Sequence, residues 1–238
     1  MNNPTKRIVA FAALFGILAF VLYYLAAVVR GPKLEYIQWN TIHAVVVTIL
    51  ALAAGAAWGS RQSLEGWKTM DVILTSNLAL VFGLLFLGWG FIWNFAKPLE
   101  AVMPGARDLL YGFWFIAGIL APYIIRKPGA ALAAELLAAL AELLAGGTWG
   151  LTLLISGLIQ GGLAEIVFAA TGYKRFDLKT LMLAGAAAGA GSLVVDYMFW
   201  YSSLGLGVLG MMLLARLISG ALLAGWLGKV IGDGLLNA

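Results

Sequence analysis

The chain has 238 residues, of which 63% are hydrophobic and only 11% charged. A soluble domain carries roughly a quarter charged residues, so this chain has too little polar surface to cover a body in water. It has no cysteine, which excludes disulfides, thiolate metal sites and cysteine nucleophiles. The formal charge of +4 lies mostly in the connections between apolar runs. There it speaks to membrane orientation and gives no reason to expect nucleic acid.

Apolar runs of about 18 residues or more read as membrane spans. They lack the alternation of a barrel strand, so they are expected to be helices. Eight are read in chain order, at about 7–29, 42–59, 72–95, 109–125, 130–146, 150–171, 180–200 and 206–230. Lys6 and Arg7 precede the first, which is too long for an ordinary signal core. Arg30-Gly31-Pro32-Lys33 follows it with no small-residue cleavage site, so it is read as a retained helix. The fourth span contains Pro122 and the fifth is short and Ala-rich. Arg126-Lys127-Pro128-Gly129 and Gly146-Gly147 supply the turns beside them.

With the N-terminus inside, ten Lys and Arg fall in cytoplasmic segments and four (Arg30, Lys33, Lys97, Arg107) in outer ones. The positive-inside rule then places both termini in the cytoplasm of a multi-pass prokaryotic cell-membrane protein. Small residues recur at four-residue spacing in Ala79/Gly83, Gly157/Gly161, Ala184/Ala188/Ser192 and Gly220/Ala224/Gly228. Such faces let helices approach closely, within one subunit or against another.

Ionisable groups inside a span are costly and mark function by default. Glu135 and Glu142 are seven residues apart, nearly on one helical face, with Ala131 and Ala138 beside them. Gln160, Glu165, Asp196 and Arg216 lie in the later spans. Internal pairing with Arg216 is the plain alternative for these carboxylates, Glu135 above all. Glu142, Asp196, Asn94, Trp93, Tyr111, Trp114, Trp149, Tyr197 and Trp200 all fall in the outer half under the orientation above. As a belt these aromatics would only anchor the bundle. As cavity walls, with the acids, they would suit a small planar cation.

Three other patterns lack their context. Gly205-Leu206-Gly207-Val208-Leu209-Gly210 matches G-x-G-x-x-G, but no strand precedes it. Gly228-Lys229 lacks the upstream glycine of a phosphate loop. His43, the single histidine, begins a span and is read as incidental. No cofactor, metal or catalytic residue is expected.

From about Asp71 the chain resembles the YkoE family. These are membrane-embedded substrate-binding (S) components of energy-coupling-factor (ECF) transporters, associated with thiamin or its hydroxymethylpyrimidine precursor. The resemblance rests on Tyr111-Gly-Phe-Trp-Phe-Ile116, Tyr123-Ile-Ile-Arg-Lys-Pro-Gly-Ala-Ala131, and Glu135 with Ala138-Ala-Leu140 and Glu142. It continues in Gly157-Leu-Ile-Gln-Gly161 with Ala164-Glu165 and Val167-Phe168, and in Leu181-Met-Leu-Ala-Gly185. The last block runs from Arg216-Leu-Ile-Ser-Gly-Ala-Leu-Leu-Ala-Gly225 through Leu227-Gly228-Lys229. Gly162-Leu163 before Ala164-Glu165 is a local variation on the motif.

The resemblance implies an all-α membrane protein with a six-helix S-component core at 71–238. Residues 1–70 add two transmembrane helices to it. It also implies capture of a vitamin from outside without chemistry, docking on a transmembrane coupling subunit, and delivery driven by separate ABC ATPases. Glu142 and Asp196 are then expected to hold a cationic or amino group, and Gln160 a pyrimidine nitrogen. Tyr111, Trp114 and Trp149 are expected to stack on the ligand, Glu135 to lie with them, and Ala79 and Gly83 to meet the coupling subunit. The competing readings are a proton-coupled carrier or membrane enzyme using Glu135, Glu142 and Arg216, and an assembly subunit with no ligand.

Overall fold

The computed structural model describes residues 66–237. The two spans expected at 7–29 and 42–59, and His43, lie outside the described residues. The other six expected spans are all helical. They form α1 (Thr69–Phe95), α2 (Ala117–Ile125) after a 3-10 segment (Arg107–Phe115), α3 (Ala130–Leu144), α4 (Thr152–Ala170), α5 (Leu178–Asp196), and α6 (Leu206–Ser219) with α7 (Leu227–Leu236). A π-helical stretch, Tyr197–Tyr201, extends α5, and another, Gly220–Trp226, joins α6 to α7. Among the described residues, five helical stretches are long and apolar enough to cross a membrane. Of the six expected spans, only the one made by α3, with 15 residues, is not among these five, and it is shorter than the ~20 residues that a bilayer asks for.

α3 has neighbours on three sides. It packs against α1, α2 and α4, and eight of its residues are buried, including Glu135 and Glu142. Small residues allow the close approach. A Cβ on Gly157 would lie 2.7 Å from the Ala139 Cβ, and one on Gly161 would lie 2.8 Å from the Glu135 Cβ. Across the bundle, a Cβ on Gly185 of α5 or on Gly220 would overlap the other's carbonyl oxygen. Ala184, Ala188 and Ser192 are also fully inside. The small-residue faces therefore serve packing within this subunit.

Ala79 and Gly83, expected to meet the coupling subunit, are packed inside the subunit in this structure. Ala79 is 1% exposed, and a Cβ on Gly83 would lie 2.6 Å from the Ala138 carbonyl oxygen. Both turn inward against α3, so neither is presented on the surface of this structure. The outer flank of α1 instead carries the exposed Leu80, Val81, Leu84 and Leu85.

The ends of the bundle opposite the polar cavity are tied by specific bonds. The Trp67 indole donates to the Pro128 carbonyl at 3.0 Å, and Lys127 pairs with Asp71 and the Gly66 carbonyl. Arg126 and Gly129 adopt left-handed backbone (φ 55° and 86°) to make the turn between α2 and α3. Asp177 caps α5, its carboxylate accepting from the Thr180 N–H at 3.1 Å. That bond, with Arg175 alongside, holds its carboxyl below the usual carboxylate range. Gly205 is the N-cap of α6, and no strand occurs among the described residues, so the glycine pattern at 205–210 is a helix start.

Candidate functional site

The 3-10 segment organises one end of the molecule. A tight helix of three residues per turn eclipses positions three apart, so Arg107–Phe115 presents three separate rows. Leu110 and Phe113 face α1. The Trp89 indole donates to the Leu110 carbonyl at 2.9 Å and its ring stacks on Phe113 at 4.3 Å. Leu109 and Gly112 face α6, where Ser219 Oγ accepts from the Gly112 N–H at 2.8 Å and donates to the Leu109 carbonyl at 2.6 Å. Asp108, Tyr111 and Trp114 make the third row, turned toward Arg216 and a cavity.

Arg216 is fully buried. Its Nε donates to Asp108 Oδ1 at 2.5 Å, its Nη2 to Asp196 Oδ2 at 2.7 Å and its Nη1 to Ser192 Oγ at 3.1 Å. The guanidinium lies 3.8 Å from the centre of the Tyr111 ring, and Tyr111 Oη donates to the same Asp196 Oδ2 at 2.7 Å. One buried cation therefore serves two buried aspartates. The plain alternative of a Glu135–Arg216 pair is not what forms: Glu135 Oε2 accepts from the Gly118 backbone N–H at 2.7 Å. Gly118 opens α2, where backbone donors are still unpaired. A Cβ there would come within 3.0 Å of Glu135 Oε2, so glycine allows the contact.

The cavity beside this cluster has a volume of about 270 Å³. All seven residues expected to bind substrate line it: Tyr111, Trp114, Glu135, Glu142, Trp149, Gln160 and Asp196. Its aromatic wall is continuous. Trp93 meets Tyr111 edge-on at 5.1 Å and Trp114 at 5.5 Å, and Trp149 meets Trp114 at 5.5 Å and 89°. Thr152 Oγ1 donates to the Trp149 carbonyl at 2.6 Å, fixing the turn that brings this tryptophan over the site.

Sequence reasoning missed several members. Asp108 reads as a residue of an outer connection, yet it is fully buried on Arg216. Arg107 borders the cavity mouth with Lys97. It lies 4.2 Å over the Trp93 ring and pairs with Glu100 at 2.9 Å. Tyr201 reaches the cavity from the π-helical end of α5, beside Trp200, an aromatic already read in the outer half. π-helical turns inside α-helices recur at functional sites for this reason, because they re-aim side chains.

Glu165, also flagged as an ion inside a span, is not at this site. At the other end of α3 its carboxyl accepts from the N–H groups of Gly129 (2.6 Å), Ala131 (3.0 Å) and Leu132 (3.3 Å), and from Tyr173 Oη (2.6 Å). It caps a helix whose own N-cap is Gly129.

A bundle of membrane helices with one end opened into an aromatic, acid-lined cavity defines a class: a membrane-embedded binding protein for a small molecule. A family model described as an ABC-type cobalt transport system, permease component, matches residues 70–191. YkoE of Bacillus subtilis (strain 168), whose name assigns it as an HMP/thiamine permease protein, is 41% identical over 174 residues. The match covers 72% of this chain and 86% of that protein. A crystal structure of an S-component of an ECF transporter is also similar, with a TM-score of 0.67 and 41% identity. It covers 72% of this chain and 87% of that one. The chain belongs to the YkoE-like family of ECF-transporter S components. It is a transporter subunit that binds its cargo and carries out no chemistry of its own.

Proposed function

We propose that the cavity takes thiamin or its hydroxymethylpyrimidine precursor from outside the cell. The observation that carries this reading is the meeting of buried carboxyls with a tryptophan and tyrosine wall in one cavity of small-molecule size. A flat, positively charged heterocycle is matched on its faces by aromatic rings and on its edges by acids. In this reading Asp196 and Glu142 hold the cationic or amino group and Gln160 bonds a ring nitrogen. Tyr111, Trp114 and Trp149 flank the rings, and Glu135 closes the deep side. The name of the B. subtilis relative supports the same cargo.

The description of the matching family model names cobalt, but these side chains favour an organic cargo. The chain has no cysteine and a single histidine, His43. Of the cavity carboxyls, Glu135 is engaged by a backbone N–H and Asp196 by Arg216. Neither imidazole nor thiolate, common ligands of late first-row ions, lines the cavity among the described residues.

The excess of Lys and Arg on the other side would place this cavity on the outer face and both termini in the cytoplasm. A transmembrane coupling subunit and paired ABC ATPases complete the importer in this reading. Docking through Ala79 and Gly83 would require α1 and α3 to part. Glu142→Gln keeps the volume and removes a carboxyl from the cavity wall. Thiamin affinity of the purified protein is expected to fall at least about tenfold, a loss of ~1.4 kcal/mol. Unchanged affinity in a titration calorimeter would take Glu142 out of the site.

A further inference from the structure

One whole side of α1 has no neighbour among the described residues. Met70, Ile73, Leu80, Val81, Leu84 and Phe91 are all 46% or more exposed, and steps of three and four residues put them on one helical face. Lipid suits such side chains, so they alone call for no protein partner. Two residues on the centre line of the face do not suit lipid. Asn77 is exposed, and its amide has no hydrogen-bond partner among the described residues. It lies ~9 Å along the helix from Asp71, whose carboxylate pairs with Lys127 at the bundle end. So short a side chain cannot reach back to water from there, and a polar group at that depth is satisfied by another helix. Gly88, about three turns further along the same line, is exposed with nothing within 4 Å of the place where a Cβ would stand. It leaves a notch into which a second helix fits closely.

We propose that the chain's own second N-terminal span, at about 42–59, lies antiparallel on this outer face of α1 and covers it. The span ends at Gly59 and α1 begins at Thr69. Helices joined by so short a connection pack as antiparallel neighbours. The far end of that connection is fixed, because the Trp67 indole donates to the Pro128 carbonyl and Lys127 to the Gly66 carbonyl. Ala44, Thr48, Ala51 and Gly55 recur at steps of three and four residues, a small-residue face that accepts the ridge of Leu80, Val81 and Leu84. Counted back from the connection, Thr48 falls within about one turn of the depth of Asn77, where its hydroxyl pairs with the amide. On its other side α1 holds α2, α3 and the 3-10 segment, so the contact closes it from both sides. The family model matches from residue 70 onward, so this contact is an addition by the present chain to the core it shares with its relatives. A coupling subunit then meets the core on a different face.

The chain has no cysteine, so engineered pairs report the contact without background. Leu84→Cys is combined with Ala44→Cys, and Ile73→Cys with Gly55→Cys, each in the full chain in membranes. The control joins Leu84→Cys to Val46→Cys, which lies on the far side of the second span. After oxidation, trypsin cuts the connection at Arg61 and Lys68. Each variant is used only if it is monodisperse by gel filtration in detergent. In both face pairs the two fragments are expected to stay joined until a reductant is added, and in the control to separate. Fragments that separate in both face pairs overturn the proposal, as does a control that joins as fully as they do. Disulfides between two copies of the chain give the face to self-association and overturn it too. So does Leu84→Cys that cross-links only to a cysteine on a co-expressed coupling subunit.

Discussion

Arg216→Met is expected to be the most damaging single substitution in the described bundle. It leaves Asp108 and Asp196 inside the protein with no cation, and removing one member of a buried ion cluster costs about 3–5 kcal/mol. Ser192 loses a donor, and the Tyr111 ring loses the guanidinium that lies 3.8 Å from its centre. Thermal unfolding of the full chain in detergent should show a fall in melting temperature of roughly 10 °C. Arg216→Lys should recover only part of it, because a compact ammonium cannot reach two carboxylates and a hydroxyl as a planar fork does. Asp108→Asn added to Arg216→Met should restore some stability by removing one stranded charge. A Met variant as stable as the native protein would contradict the geometry. The cluster also bears on the site. Asp196 receives both Arg216 and Tyr111 on Oδ2, so these two donors fix the angle at which the carboxylate meets the cavity.

Glu165→Ala is expected to be nearly as costly, at a place far from the cavity. Its carboxyl satisfies three backbone donors at the start of α3 and the Tyr173 hydroxyl. A buried donor left without a partner costs ~1–3 kcal/mol, and these groups lie inside the protein, where Glu165 is only 1% exposed. A loss on the order of 3–5 kcal/mol is therefore expected, read as a lower melting temperature. The same helix carries Glu135 and Glu142 to the cavity, so looser anchoring should also weaken ligand binding. Glu165→Gln, which retains one carbonyl acceptor, should fall between the two. An alanine variant with native melting temperature and native affinity would remove this cap from the account.

The cavity residues were legible in the sequence because the bilayer makes polar groups conspicuous. Glu135, Glu142, Gln160 and Asp196 each interrupt an apolar run, and residues seven apart share a helical face. The aromatics came from depth, since one orientation gathers Tyr111, Trp114 and Trp149 at one end. What pairs with what was not legible. Asp108 sits 108 positions from Arg216, and its local sequence reads as a connection. The 3-10 winding of Arg107–Phe115 was hidden too. An α-helical period would not align Asp108, Tyr111 and Trp114, and only the tighter turn puts all three on one row. The small-residue faces showed that helices approach closely, without showing which neighbour they meet. Ala79 and Gly83 needed the position of α3 to be understood.

The central claim is that this cavity holds a pyrimidine vitamin. Equilibrium dialysis of labelled thiamin against the purified full chain tests it most directly. Saturable retention of one thiamin per chain, displaced by hydroxymethylpyrimidine and weakened by Glu142→Gln, is the predicted result. No saturable retention by a folded protein at millimolar thiamin, with none for hydroxymethylpyrimidine either, would contradict it.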